Sequence, residues 1–298
     1  MSWYVYLLAY YIKSRFFNIK KPILAGIKVT HACNLKCRHC PFWEKDNKYL
    51  SFSDVKSSFE KLHDLGVRIV IIEGGEPFLW KDGEHDIRDV VTEAKKLFFS
   101  VGITTNGTFP LDADADVIWV SLDGLKETHD SIRGKSFDRA IQNIKSSSHK
   151  NIYAHITFNK INQNDVKEIV EYLSGKVKGI TVQFHYPYND QKDALLLSPV
   201  ERNIILDTLI EMKKGGAPIA NSTACLLALK ENTWKCRSWM IASIDPDGTL
   251  THGCYVKGRG DISCEECGFS AHTEISIAYS GNIESILLGK KIFFPSRS

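Results

Sequence analysis

The sequence predicts an α/β fold: six parallel strands joined by crossovers, open or curled into a partial (β/α)6 barrel, with a small β-hairpin module at the C-terminus. Three observations predict it. From residue 23 to about 215, apolar strand-like runs alternate with helix-like segments, the pattern of a parallel sheet. Distinctive short motifs stand directly after each of the first four strand-like runs, at the strand ends where such folds gather their working residues. From residue 216 strands and turns replace the alternation, and five of the eight cysteines lie beyond that point.

Taken in order, ILAGIKVT (23–30) is the first strand and FSDVKSSFEKLHDLG the first helix, with Ser53 as its cap. VRIVIIE (67–73) is the second strand and leads into a helix near 85–99. VGITT (101–105) and VIWVSL (117–122) are strands with little helix between them. A helix at 137–148, the strand IYAHITF (152–158), a helix at 163–174, the strand GITVQFHY (179–186) and a helix near 199–214 follow. The chain therefore divides into an N-terminal segment (1–22), a barrel (23–215) and a C-terminal module (216–298). In that module Cys236 and Cys254 bracket a hairpin that turns at Pro246-Asp247-Gly248.

At 298 residues the chain can bury a sizeable core unaided. A hydrophobic content of 43% argues against disorder, and a net charge of +3 gives no electrostatic case for a nucleic-acid partner. Eight cysteines without a secretory signal, three of them in one loop, point to metal ligation in a reducing cytoplasm rather than to disulfides.

Residues 3–12, WYVYLLAYYI, are too few to cross a bilayer, which takes about 20 apolar residues. Seven basic residues, from Lys13 to Arg38, precede the first acidic one, Glu44. An aromatic helix with a basic tail fits two roles: a peripheral contact with the inner membrane face, or a terminal helix packed on the main domain.

The motif after the first strand is CNLKCRHC, with Cys33, Cys37 and Cys40 but no fourth cysteine at comparable spacing. A cubane iron-sulfur cluster takes one thiolate per iron, so three leave one iron open to another ligand. The alternative is a zinc loop completed by His31 or His39, since structural zinc takes four ligands. Gly74-Gly75-Glu76-Pro77 follows strand two, Thr105-Asn106-Gly107 ends strand three and Ser121-Leu122-Asp123-Gly124 ends strand four. Each alone reads as a turn; their common address at successive strand ends is what carries weight. In the C-terminal module Cys236, Cys254, Cys264 and Cys267 make a four-thiolate set for a second iron-sulfur cluster or a structural zinc, and Cys225 is left over as a buried apolar thiol or an alternative ligand.

With these motifs the chain from 23 to 298 resembles radical S-adenosylmethionine (SAM) enzymes that carry an auxiliary-cluster extension of the SPASM or Twitch type. The resemblance implies a [4Fe-4S] cluster on Cys33, Cys37 and Cys40, and SAM chelating the open iron through its amino and carboxylate groups. It implies that Gly74, Gly75 and Glu76 receive the methionyl ammonium, that Asn106, Ser121 and Asp123 sit by the ribose or methionyl group, and that Arg133 pairs with the carboxylate. A second [4Fe-4S] cluster would sit on Cys236, Cys254, Cys264 and Cys267, and a reductase, ferredoxin or flavodoxin would donate electrons.

Within that superfamily the N-terminal helix, Cys236, Trp239, Cys254-Tyr255 and Cys264/Cys267 are similar to the hopanoid-pathway enzyme that joins the deoxyadenosyl radical to a squalene-derived polycyclic. Where that family has another cysteine, this chain reads Gly268-Phe269-Ser270-Ala271. The likeness leans toward a hydrophobic lipid or isoprenoid substrate, modified at an unactivated C–H or C=C site. A peptide maturase and a non-enzymatic iron-sulfur or zinc module are the alternatives. No catalytic residue is assigned; His155, His185, Tyr186 and Tyr188, on or after strands five and six, are candidates for the pocket wall.

Overall fold

The structure, a computed structural model, describes residues 2–186, 194–254, 256, 264 and 267–295. Helix α1 (Trp3–Phe16) leads to strand β1 (Leu24–Lys28), then α2 (Phe52–Leu65), β2 (Ile69–Glu73), a two-stranded ribbon β3 (Lys81–Asp82) and β4 (His85–Asp86), and α3 (Ile87–Leu97). Next come β5 (Ser100–Thr105), β6 (Val117–Ser121), α4 (Lys126–Arg133), α5 (Phe137–Ser146), β7 (Ile152–Phe158), α6 (Val166–Leu173), β8 (Gly179–Phe184) and α7 (Pro199–Lys214). The chain ends in α8 (Thr223–Glu231), β9 (Ile241–Ile244), β10 (Leu250–His252), α9 (Ser270–Tyr279) and α10 (Ile283–Phe293).

Capping chemistry sets several helix starts. Ser51, not Ser53, caps α2, in a capping box with Asp54, and Gly66 ends the helix at φ 109°. Asp86 with Asp89 opens α3, and Ser198 with Glu201 opens α7 ahead of Pro199. Val55, Phe59 and Leu62 then fall on one buried face of α2.

The main sheet has eight strands in the order β10-β9-β1-β2-β5-β6-β7-β8. The six strands expected from sequence run parallel as β1, β2, β5, β6, β7 and β8. The C-terminal region departs from expectation. The hairpin turns at 245–249 as expected, but β9 pairs parallel with β1, so it extends the barrel sheet rather than standing beside it. Three helices, α8, α9 and α10, occupy a region whose sequence suggested strands and turns. Helix α4 was also unforeseen: KETHDSIR is short and polar, and its amphipathic pattern covers barely two turns.

Alternation along the strands separates two faces. Ala25, Ile27, Val70, Ile72, Val101, Ile103, Ile118, Val120, Ala154, Ile156, Ile180 and Val182 join the helices in one continuous core. On the other, concave face a Cβ on Gly102 would stand 2.7 Å from the Trp119 ring, and one on Gly26 would stand 3.0 Å from Glu73 Oε1. These two glycines leave room for larger neighbours inside the barrel. The N-terminal end of the barrel is closed. Val117, Tyr153, Ala220 and Ile292 pack there with Trp119 and Phe293. Helix α1 lies across the strand starts: Tyr6, Leu7 and Tyr10 pack with Ile23, Met240 and Ile241, and the Tyr6 hydroxyl donates to Gly66 O at 2.9 Å.

Candidate active site

The four expected motifs meet at the open, C-terminal end of the parallel strands. The cysteine segment leaves β1 and is fastened on two sides: Arg38 N donates to Ile132 O at the end of α4 (2.9 Å), and Trp43 Nε1 donates to Cys37 O (3.1 Å). Cys33, Cys37 and Cys40 lie close enough to perturb one another. Burial pushes the Cys37 thiol up to about 11, with Arg133 opposing and the Cys40 and Cys33 sulfurs adding to the rise. Cys33 is raised for the same leading reason. Three neighbouring thiolates are costly by themselves and become favourable on a cationic cluster, so this donor set fits a [4Fe-4S] group. Both histidines of the zinc alternative have other groups beside a ring nitrogen. His31 Nδ1 faces Asp46 O at 3.3 Å, and His39 faces Asp123 at 3.9 Å and the His185 ring at 6.3 Å. Among the described residues no three His, Cys, Asp or Glu side chains draw together around one ion. A cubane asks for less convergence, because each iron takes its own thiolate.

Gly74 and Gly75 are required by a backbone-to-backbone approach. A Cβ on Gly74 would stand 2.7 Å from Thr30 O, and one on Gly75 would stand 2.2 Å from Ala32 O and 2.4 Å from His31 O. Gly75 N donates to Thr30 O (2.7 Å) and Glu76 N to Ala32 O (2.8 Å), so this turn holds the residues that launch the cysteine loop. Glu76 is wholly buried. Its carboxylate accepts from Thr105 Oγ1 and Asn106 N, both at 2.7 Å, and from Phe78 N at 3.1 Å. Burial lifts it to about 7 although those hydrogen bonds pull the other way. Glu76 thus clamps the end of β2 to the end of β5.

Asn106 extends the clamp to the cysteines: its Nδ2 donates to Asn34 Oδ1 at 2.8 Å and lies 3.8 Å from Cys33 Sγ, while Oδ1 accepts from Thr108 N at 2.9 Å. Asn34 in turn donates to Thr108 Oγ1 at 2.8 Å. Ser121 ends β6, buried, on the concave side with Trp119. Asp123 and Arg133 form a buried ion pair beneath the loop, with Arg133 Nη1 4.0 Å from Cys37 Sγ. Burial works against the Asp123 carboxylate, yet Arg133 and then His39 outweigh it and hold it below the usual range. Asp123 also accepts from Thr157 N at 2.8 Å and its own N–H donates to His129 Nδ1 at 3.2 Å, linking β6 to β7 and α4. Arg133→Met leaves the buried Asp123 carboxylate without its guanidinium, which costs about 3–5 kcal/mol. A denaturant melt of the metal-free protein checks this, and the deficit should shrink in the R133M/D123L double variant.

Sequence reasoning named His155 and Tyr186 for the pocket wall but missed Lys28 and Gln183 on the concave face. Lys28, at the end of β1, is buried and reaches Glu73 at 3.4 Å and Asp245 at 3.9 Å. Its signal was a single lysine inside the apolar run ILAGIKVT. His155 stands on the same face of β7, 2.9 Å from Thr181 Oγ1, and burial lowers it to about 4, which keeps it neutral. Gln183 Nε2 donates to Thr157 Oγ1 at 3.2 Å nearby. Tyr186 packs with Phe269 and Val256 against Cys254 and Cys267, joining the barrel mouth to the second cysteine set. Cys254, Cys264 and Cys267 all act on Cys236, whose thiol rises to about 11 through burial first and those neighbours next. Cys225 stands apart, buried in α8 with its sulfur 3.8 Å from Ser270 O. Tyr188 and Tyr255 lie outside the described residues.

The Radical SAM superfamily profile matches residues 27–173. Fe-coproporphyrin III synthase of Methanosarcina barkeri is 28% identical over 216 residues, 66% of this chain and 53% of that protein. The sporulation killing factor maturation protein SkfB of Bacillus subtilis is 30% identical over 168 residues, 50% of this chain and 39% of its own length. The chain thus spans about half or less of these curated relatives. Streptococcus suis SuiB, solved bound to S-adenosylmethionine, shares the fold with a TM-score of 0.66 at 16% identity, over 94% of this chain and 70% of SuiB. The matched region runs from β1 through α6 and contains Cys33, Cys37, Cys40, Gly74 to Glu76, Asn106, Asp123 and Arg133, and on that basis the chain belongs to the radical SAM superfamily.

Proposed function

We propose that the chain cleaves S-adenosylmethionine reductively and uses the resulting radical on a polar substrate, with a peptide as the best-supported class. The observation that carries the first part is the set of three mutually close thiols, Cys33, Cys37 and Cys40, at the open end of the strands. When bound, a [4Fe-4S] cluster supplies the electron that splits SAM into methionine and a 5'-deoxyadenosyl radical. The chain's own part is placement. Glu76, Asn106 and Asn34 fix the loop on one side, and Asp123, Arg133 and His129 on the other. Gly74, Gly75, Ser121 and the groups around them leave the mouth where the methionyl and ribose parts of SAM would lie. Cys236, Cys254, Cys264 and Cys267 would hold a second [4Fe-4S] cluster, and a ferredoxin, flavodoxin or reductase would deliver electrons.

The substrate class follows from the wall. Near the mouth the concave face carries Lys28, Glu73, Asp245, Thr157, Thr181, Gln183 and neutral His155, groups that recognise amides, carboxylates or amines. A polycyclic hydrocarbon would take water from this face and offer no polar partner in return. The aromatic helix that supported a lipid or isoprenoid substrate packs across the opposite end of the barrel. SuiB was also solved bound to its precursor peptide SuiA, with a TM-score of 0.65, and SkfB is named for maturation of a killing factor. The test is anaerobic incubation of reconstituted protein with SAM and dithionite, followed by parallel mass spectrometry of an added peptide pool and a lipid extract. The expected result is 5'-deoxyadenosine together with a mass change in peptides only. Fully loaded protein that leaves SAM intact would overturn the chemistry, and a modified lipid would overturn the substrate class.

A further inference from the structure

From Trp3 to Ile12 helix α1 is apolar all the way round. Tyr6, Leu7 and Tyr10 face the barrel floor, whereas Tyr4, Val5, Leu8, Tyr11, Ile12 and Phe16 are 38–74% exposed. A helix that merely packs on a domain shows water a polar face, and one that is apolar on both sides has a second apolar environment. Helix α10 repeats the feature. Its inner side buries Ser285 and Ile292, while Ile283, Ile286 and Leu287 are 49–73% exposed. Ring contacts bring the start of α1 to the end of α10: Trp3 stacks on Phe294 at 4.2 Å, just past α10, and further along Tyr11 meets Tyr279, the last residue of α9, at 5.5 Å.

Basic charge follows α1 and ends α10, while Glu284, the acid in the first turn of α10, pairs with Lys213 at 3.2 Å. Lys13, Arg15, Lys20 and Lys21 are exposed after the second turn of α1, and Lys290 and Lys291 are exposed at the end of α10, beside the start of α1. From these observations we infer that the α1/α10 face is a docking surface for an anionic phospholipid bilayer. The apolar side chains enter the head-group boundary and the lysines and Arg15 meet lipid phosphates. No helix among the described residues is long and apolar enough to cross a membrane, so the contact is peripheral. The surface lies at the N-terminal ends of the strands. Docking there turns the mouth, with Cys33, Cys37 and Cys40, away from the bilayer and toward water, where a polar substrate reaches it. The inference does not depend on the reaction proposed above, and its test uses no turnover.

Sedimentation of the full chain with phosphatidylcholine vesicles, with and without one quarter phosphatidylglycerol, tests it. Binding should require the anionic lipid for full strength and should weaken several-fold as salt rises from about 0.1 M to about 0.5 M. Leu8→Glu with Ile12→Glu alters only exposed side chains, so its melting curve should match the parent while vesicle binding falls at least tenfold. Lys20→Glu with Lys21→Glu should remove about tenfold of the anionic preference and spare the residual binding to neutral vesicles. Three results would overturn the inference: no sedimentation with either vesicle, equal binding by the Leu8/Ile12 variant, or a parent dimer that the Leu8/Ile12 variant makes monomeric while vesicles retain neither protein.

Discussion

Replacing Cys33, Cys37 and Cys40 together with alanine is expected to abolish conversion of SAM to 5'-deoxyadenosine while leaving the protein folded. These residues lie in a loop outside the apolar core, so the cost in stability is small next to the loss of all thiolates at one site. Anaerobic reconstitution supplies the quantitative readout. The parent should bind about eight irons per chain if both cysteine sets hold cubanes, and the triple variant about four. The remaining four belong to Cys236, Cys254, Cys264 and Cys267. Unchanged turnover in the triple variant removes the assignment of the first site, and a variant that holds zinc but no iron makes the second site structural.

Gly75→Ala should do nearly as much damage with a single methyl group. The new Cβ would sit 2.2 Å from Ala32 O and 2.4 Å from His31 O, both rigid backbone, at the point where the chain enters the cysteine loop. Overpacking against backbone costs about 3 kcal/mol or more, which lowers the melting temperature by roughly 5–10 °C. Iron at the first site should fall in step, because relief of the clash moves residues 31 and 32 and the loop behind them. Gly83→Ala is the control. It carries φ +58° with nothing within 4 Å of a new Cβ, so it should cost only about 1 kcal/mol of backbone strain and no iron. Equal iron content in the two variants would show that the turn does not position the loop.

The parallel barrel and the address of the site were legible because they rest on local signals: apolar runs of strand length, capping residues, and motifs at strand ends. What each motif does was less legible, because it depends on partners far along the chain. Glu76, read as a ligand for an amine, also accepts from Thr105 and Asn106, about 30 residues on. Arg133, read as a carboxylate clamp for SAM, pairs with Asp123, ten residues earlier. The glycines of GGEP, read as a cradle for ligand, are needed besides for the close backbone of Thr30, His31 and Ala32. The C-terminal helices α9 and α10 escaped notice because serine, threonine and isoleucine favour no one state; their helicity comes from packing on the barrel. Lys28 was hidden by its apolar neighbours, although a lone charge in such a strand needs a partner.

The stack of Trp3 on Phe294 nearly closes the chain into a ring. In an unfolded chain, bringing together two points that far apart in sequence carries an entropy cost of roughly 5 kcal/mol, more than one aromatic pair returns. The contact therefore has no part in nucleating the fold; it forms once the barrel has already brought residues 23 and 292 to the same pole. The strands therefore stand in place before this stack can form. An element held through side chains rather than shared sheet hydrogen bonds can leave first, so α1 can lift from the barrel without dissolving the sheet that carries the cysteines.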